Sequence, residues 1–402
     1  MMPQTLHDID VSGKKILLRV DFNVPLTPSH EIADDERIRS ATSTIRYLLS
    51  KNASVVIISH LGRPSGHPVP EFSLAPCARR LSELLGREVT FIPNCIGDEV
   101  RKYTSKIEPG EVVLLENLRF HLGEEDPQHH PEFAKELSKL GEIYINDAFG
   151  TCHRKHASIF YLPSYFEESA MGFLVEREVL VLSNLLTQAE DPFVAIVGGS
   201  KVSSKIGILE SLLERVSALF IGGAMAFTFL KVKGFQVGNS LVDENHLDQA
   251  KSLCKKAKSR NVALHLPEDF VIAPALKEGS ETSEIDIELG IPSNRIGGDI
   301  GSKTIEKWKA ALRGVRTVFW NGPLGVFELT PFRRGTLEIA RQVAESGAMS
   351  IVGGGDSTAA LKMLGLDQKI THLSTGGGAT LEFIEHQNLP GLEALKQKES
   401  LF

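Results

Sequence analysis

Two sets of residues in this 402-residue chain are of the types that handle phosphate, and each set recurs where an apolar run stops. In the first half the runs Leu17 to Asn23, Val55 to Arg63, Val112 to Arg119 and Ile143 to Arg154 end in polar and basic residues. Asp21, Asn23, His60, Arg63, Arg119 and Arg154 sit at those ends, with Arg37 at a helix start. In the second half Val194 to Gly199, Ala218 to Gly223, Val318 to Gly322, Ser350 to Gly355 and His372 to Gly378 end in glycines or Asn-Gly. Guanidinium groups grip small anions through forked hydrogen bonds, whereas glycine lets peptide N–H groups approach a polyphosphate. The pairing predicts a nucleotide in one half, an anionic metabolite in the other, and a phosphoryl group passed between them.

Ile196 to Lys205 reads as strand, glycine turn and helix N-terminus, placing Lys201 and Lys205 on one helical face toward the same phosphate. It is neither GxxxxGK[ST] nor GxGxxG, and a solvated basic helix start is the competing reading. Asp356, behind Gly353-Gly354-Gly355, suits a Mg²⁺ shell of carboxylate, waters and nucleotide phosphates, and Ser357 suits a helix cap; a plain cap at either residue is the alternative. Thr375 to Ala379 is a third such turn, whose amides can receive a migrating phosphoryl group, although each glycine cluster alone is also compatible with a simple tight turn. The four first-half arginines exceed what surface ion pairing requires and suit a substrate with a carboxylate and one or two phosphates. His60 reads as a hydrogen-bonded structural histidine, because phosphoryl transfer between anionic oxygens needs no general base.

The elements that must position these residues alternate: Val55 to Ser59 is followed by a helical Leu74 to Leu85, and Val194 to Val197 by a helical Ile206 to Val216. Alternation predicts an α/β fold with right-handed crossovers, and the length predicts two domains, each a doubly wound, Rossmann-like parallel sheet. Ligands in such sheets lie at the carboxyl ends of the strands, where the glycines and arginines fall. Within Gly172 to Leu186, Val175, Val179, Leu182 and Leu186 keep helical spacing, which predicts a linking helix over 172–187 between domains at 1–171 and 188–388. A crossover helix inside one larger domain is the alternative. Asp191-Pro192 marks the start of the second domain.

A net charge of −7, with 42% apolar and 24% charged residues, describes a globular protein without broad affinity for nucleic acid or anionic membrane. Met1 to Asp21 holds no apolar stretch of the signal-peptide kind, and Val216 to Leu230 is too short to span a bilayer, so a soluble, cytoplasmic protein is expected. Cys77, Cys95, Cys152 and Cys254 lack metal or redox spacing and read as small buried hydrophobes.

Six ordered motifs, Arg19 to Pro25, Ser59 to Pro64, Glu116 to Phe120, Asn146 to Thr151, Trp320 to Glu328 and Gly353 to Ser357, resemble the phosphoglycerate kinase family, and the likeness runs to Leu389-Pro390-Gly391. The resemblance implies reversible phosphoryl transfer from 1,3-bisphosphoglycerate to Mg-ADP, giving 3-phosphoglycerate and ATP, directly and in line on hinge-bending domain closure, in a monomer. It implies that Asp21, Asn23, Arg37, His60, Arg63, Arg119 and Arg154 hold the phosphoglycerate. Lys205, Gly297, Asn321, Glu328 and Gly354, Gly355, Asp356 and Ser357 would hold the nucleotide, with Glu328 at the ribose and Asp356 at the metal. Lys201 and Arg37 would neutralise the moving phosphoryl group, helped by the amides of Gly376 to Gly378, Gly376 and Gly377 foremost. It also implies that the tail 389–402 packs on the first domain. Ser200 replaces the family's common alanine, and Gly298 and Ser302 stand where leucine and proline are usual, which bears on the adenine side. A nicotinamide-dependent dehydrogenase and a non-catalytic, two-lobed anion-binding protein are the rival readings; the missing GxGxxG weighs against the first, and Lys201, Glu328 and Asp356 against the second.

Overall fold

Runs of Val, Ile and Leu too apolar to leave either face in water become strands of two parallel sheets. The computed structural model describes residues 2–396. The first unit carries β1 (Lys15–Val20), β2 (Ser54–Ile58), β3 (Thr90–Ile92), β4 (Val112–Leu115), β5 (Ile143–Asp147) and β6 (Ser169–Met171). They pair in the order β3-β4-β2-β1-β5-β6, parallel throughout. Strands β2, β4 and β5 are buried at every residue, as sheets covered by helices on both faces demand. Ile38, Ala41, Ile45 and Leu48 of helix Glu36–Ser50 and Cys77, Ala78 and Leu81 of helix Ala75–Leu85 close one core over this sheet.

The second unit carries β7 (Phe193–Val197), β8 (Ala218–Ile221), β9 (Ala263–His265), β10 (Asp269–Ala273), β11 (Ser283–Asp286), β12 (Ile296–Ile300), β13 (Thr317–Asn321), β14 (Met349–Gly353) and β15 (His372–Ser374). Its main sheet runs β15-β14-β13-β7-β8-β9, all parallel, so the order reverses between β7 and β13. That is the strand order of a dinucleotide-type fold, and its crevice opens where the reversal occurs. A three-stranded antiparallel sheet, β11-β10-β12, adds an element that alternation does not predict. Its strands are hard to read: Ser283–Asp286 is polar, and Ile296–Ile300 contains Gly297-Gly298, which mimics a turn. Phe227, Leu230, Val237, Phe270, Ile272, Ile287 and Ile291 form its separate apolar cluster.

Among the described residues, those up to Leu180 and from His386 on form one unit, and Val181–Glu385 form the other. Helix Phe173–Thr187, the expected linker, contributes to both. Of the C-terminal tail, Leu389, Leu392 and Leu395 are buried and the Gly391 N–H donates to the Cys152 carbonyl at 2.8 Å; residues 397–402 lie outside the described residues. No helix among the described residues is long and apolar enough to cross a membrane. All four cysteines are unpaired, three of them buried, and burial pushes the Cys77 and Cys152 thiols up to about 12.

Candidate active site

In the first unit every expected anion-binding residue follows a strand end or opens a helix. Asp21 and Asn23 follow β1, His60 and Arg63 follow β2, Arg119 follows β4, Arg154 follows β5, and Arg37 lies in the first turn of helix Glu36–Ser50. Short side-chain bonds stitch these loops together. Asn23 Oδ1 accepts from the Gly62 N–H at 2.9 Å, and Asn117 Oδ1 accepts from the N–H groups of Leu61 and Arg119 at 3.2 and 3.0 Å. Asp21 ion-pairs with Arg37. Burial opposes the charge on Asp21, but Arg37 and Arg19, with the Asn23 amide, outweigh it and hold the carboxyl at about 2.

Positive charge exceeds its compensation here. Arg63 is exposed and makes no hydrogen bond or ion pair among the described residues, and Arg154 reaches only the His153 ring, at 3.3 Å. Arg119 is buried; its Nη1 donates to the Gly62 carbonyl at 2.7 Å, while its Nε, 3.2 Å from Glu125 Oε1, lacks hydrogen-bond alignment. Burial, together with Arg154 and Arg19, lowers the Arg119 pKa despite Glu125. The histidines respond to the same field. Burial pushes His60 well below its ordinary value and, with Arg119, Arg154 and Arg19, holds His156 at about 3. His60 is therefore neutral near pH 7. Because Arg19 Nη2, 3.2 Å from His60 Nδ1, has no acceptor capacity, the imidazole proton sits on Nε2. A neutral ring whose Nδ1 is already taken is a donor rather than a general base.

Sequence reasoning did not reach the scaffold behind this cluster. Arg19 and Glu124, both buried, share Ser158: Arg19 Nε donates to its Oγ at 2.8 Å, and that hydroxyl donates to Glu124 Oε1 at 2.6 Å. The partners lie more than thirty residues apart, so no local pattern announces them.

In the second unit a cleft of about 720 Å³ is lined by Lys205, Gly297, Asn321, Glu328, Gly354, Gly355 and Asp356, all of them expected nucleotide contacts. Its glycines are of two kinds. A Cβ on Gly198 would run into the Pro323 carbonyl, and one on Gly322 into Gly198, so these glycines let the loops after β7 and β13 pack backbone to backbone. Gly355 has nothing within 4 Å and Gly199 only the Lys205 side chain at 3.8 Å, leaving peptide groups open to a ligand. Lys205 bonds Asn321 Oδ1, and burial pulls its ammonium down to about 8. Phe227 and Phe270, with ring centroids 4.6 Å apart, join Leu241, Leu276 and Ile296 in an apolar wall to which the antiparallel sheet contributes Phe270 and Ile296. Such a wall suits a planar base.

Several expected placements are corrected. Lys201 and Lys205 do not share a helical face: the helix begins at Ile206, Lys201 is exposed in the preceding loop, and Val202 to Lys205 close a separate turn held by the Lys205 N–H to the Val202 carbonyl. Ser357 neither caps its helix nor lines the cleft; it is buried, and its Oγ accepts from the Gly322 N–H at 2.9 Å, fixing the loop after β13. The Gly376 N–H is taken by Ser374 Oγ at 3.2 Å, which leaves the amides of Gly377 and Gly378. Gly298 lines the cleft on the side of Gly297. A side chain there would strike the ring of buried Phe332, which fills the space a leucine would occupy.

Asp356, half-buried in the first turn of helix Gly355–Met363, has its pKa raised by burial and by the neighbouring Glu328 carboxylate. No group of three or more His, Cys, Asp or Glu placed to hold a metal occurs among the described residues. Mg²⁺ needs only one or two carboxylates when phosphates complete its shell, and Asp356, lining the cleft, fits that demand.

Asp299, also lining the cleft, is buried and its carboxyl is pushed up to about 7 by burial, against the amides of Gly335 and Ile300 and Arg334, with Glu284 adding to the rise. A folded pKa above the unfolded value means that stability is gained as pH falls through about 7 and lost as it rises through that value. Between pH 8 and 5 the urea midpoint of the wild-type chain is therefore expected to gain on that of Asp299→Asn by the equivalent of roughly 2 kcal/mol. A pH-independent difference would contradict this assignment.

Comparisons with known proteins agree on one family. A family model described as phosphoglycerate kinase matches residues 6–387. The chain is 50% identical over 398 residues to the phosphoglycerate kinase of Prosthecochloris aestuarii, covering 98% of this chain and all of that one. It is 48% identical over 400 residues to that of Thermosipho africanus, covering 99% and 98%. Solved phosphoglycerate kinases from Coxiella burnetii and Pyrococcus horikoshii superpose with a TM-score of 0.85 each, at 39% and 33% identity and 98% coverage of both chains. None of these matches supports the dehydrogenase or the non-catalytic binding protein.

Proposed function

The chain belongs to the phosphoglycerate kinase family, a glycolytic phosphotransferase that moves a phosphoryl group reversibly between 1,3-bisphosphoglycerate and ADP to give 3-phosphoglycerate and ATP, and we propose that each unit carries one substrate. Asp21, Asn23, Arg37, His60, Arg63, Arg119 and Arg154 hold the phosphoglycerate. Lys205, Gly297, Asn321, Glu328, Gly354, Gly355 and Asp356 hold the nucleotide, with Glu328 toward the ribose and Ser357 shaping the loop from beneath. The observation that carries this reading is the contrast in charge: guanidinium groups in excess of their carboxylate partners on one unit, open peptide nitrogens beside an apolar wall on the other.

Phosphoryl transfer is mostly positioning and stabilisation of charge spread over three oxygens. Arg37 and Lys201 supply fixed positive charge, the amides of Gly377 and Gly378 supply dipoles, and no side chain need form a covalent intermediate. Mg²⁺, held by Asp356 and the phosphates, would neutralise nucleotide charge. In-line transfer needs reacting atoms about 3 Å apart, so we take the units to close upon their loaded substrates, excluding water. Unpaired, largely buried thiols suit a reducing compartment such as the cytoplasm, and a single chain suffices for the reaction.

Incubation with 3-phosphoglycerate and Mg-ATP, followed by ADP release, tests the reading. Release should require both substrates and a divalent cation. Hydrolysis of ATP at the same rate without 3-phosphoglycerate would defeat it.

A further inference from the structure

Helix Phe173–Thr187 begins with amides that a helix cannot satisfy itself, and their partners come from far away in sequence. The Phe173 N–H donates to Thr44 Oγ1 at 3.0 Å, and the Leu174 and Val175 N–H groups point to Asp147 Oδ1 at 2.9 and 3.4 Å. Those partners lie 129, 27 and 28 residues upstream. A serine or aspartate at the helix start would cap it locally at little cost. Gly172 stands there instead, with no room for a side chain because one would enter the Asp147 carboxylate. Asp147 is 1% exposed, and its Oδ2 is buried with no aligned partner, a placement that costs stability. Burial raises its pKa to about 6, against the Thr44 hydroxyl and the two amides.

The two remote caps are also the neighbours of the substrate arginines. Thr44 lies seven residues beyond Arg37, two turns along the same face of helix Glu36–Ser50. Asp147 ends β5, and the turn from Ala148 to Arg154 follows it through a tight series: the Ala148 N–H to Asn146 Oδ1, the Thr151 N–H to the Ala148 carbonyl and the Arg154 N–H to the Thr151 carbonyl, each at 3.0 Å. The helix they cap passes from the first unit into the second.

We propose that Asp147, with Thr44, is a positioning residue for the reaction: it fastens the elements bearing Arg37 and Arg154 to the start of helix Phe173–Thr187, so that phosphoglycerate binding at those arginines is felt by the helix. This rests on the arginines being the phosphoglycerate site. An ordinary cap contributes stability alone; this one also conveys occupancy.

Hydrogen exchange of the Phe173–Glu176 amides, with and without 3-phosphoglycerate, separates the two. In the wild-type chain the ligand is expected to slow exchange there about fivefold or more, and in Asp147→Ala by less than about twofold. Turnover of Asp147→Ala per folded molecule should fall about tenfold while the Kd for 3-phosphoglycerate stays within about twofold, and Asp147→Asn, which keeps an acceptor, should recover most of it. Thr44→Val gives the same readout if the alanine variant does not fold. Equal ligand protection in wild type and variants, or turnover lost only in proportion to affinity, overturns the proposal. Tight 3-phosphoglycerate binding that survives Arg37→Ala and Arg119→Ala would instead overturn the site assignment beneath it.

Discussion

Arg37→Ala is expected to lower turnover by about a hundredfold, the usual scale for removing a preorganised group that meets transition-state charge. Three observations support so large an effect. Arg37 is only one-third exposed, sits in the first turn of a helix whose inner face is buried in the sheet core, and is held by Asp21. Asp21 in turn stays ionised because Arg37, Arg19 and the Asn23 amide outweigh its burial. The guanidinium is thus placed before substrate arrives, and no reorganisation is needed at the moment of transfer. Turnover should fall more than 3-phosphoglycerate affinity, because Arg63, Arg119 and Arg154 remain. Arg37→Lys should restore only part, since a point charge cannot both pair with Asp21 and present a planar fork. Steady-state kinetics with direct binding measurements decide this, and near-normal turnover in Arg37→Ala would remove the residue from the mechanism.

Lys201→Ala is expected to have a similar effect on turnover, about a hundredfold, with little change in nucleotide affinity. Its position explains the split. Lys201 is exposed and has no side-chain partner among the described residues, so it contributes nothing visible to the folded cleft and is free to meet charge that develops elsewhere. Lys205 differs: it lines the cleft, bonds Asn321, and is pulled down to about 8 by burial. Lys205→Ala should therefore weaken nucleotide binding first. Without nucleotide Lys205 is charged below about 8 and loses its proton above, so nucleotide affinity of the wild-type chain should decline as pH rises past that value. Lys205→Arg, whose charge does not titrate, should flatten the decline. Loss of nucleotide affinity on removing Lys201, with turnover intact, would reverse the two roles.

The strand ends were legible because parallel strands buried on both faces leave unbroken apolar runs, and the residues that follow them are forced to the carboxyl edge. That logic placed Asp21, His60, Arg119, Arg154, Asn321 and Asp356 from sequence alone. It failed where local pattern and tertiary role part. Gly297-Gly298 lacks the apolar, branched side chains that mark the other strands yet lies in β12, because antiparallel pairing with β10 supplies what its side chains lack. Lys201 and Lys205 read as one helical face, yet a turn intervenes before Ile206. Ser357 reads as a cap, but its hydroxyl is committed to the next loop. Arg19, Glu124 and Asp147 were invisible for a different reason: each acts through partners distant in sequence, and a single chain records no pairings. The strand-end positions of these residues were therefore readable one by one, while the network that holds them still was not.

The central claim, one substrate to each unit, is most directly tested by a crystal structure of the chain with 3-phosphoglycerate and Mg-ADP bound together. The account places the phosphoglycerate oxygens within hydrogen-bond reach of Arg37, Arg63, Arg119 and Arg154, and the nucleotide against Phe227 with its phosphates near Gly199, Lys205 and Gly355. Both ligands on the same unit, or a phosphoglycerate touching none of those arginines, would contradict it.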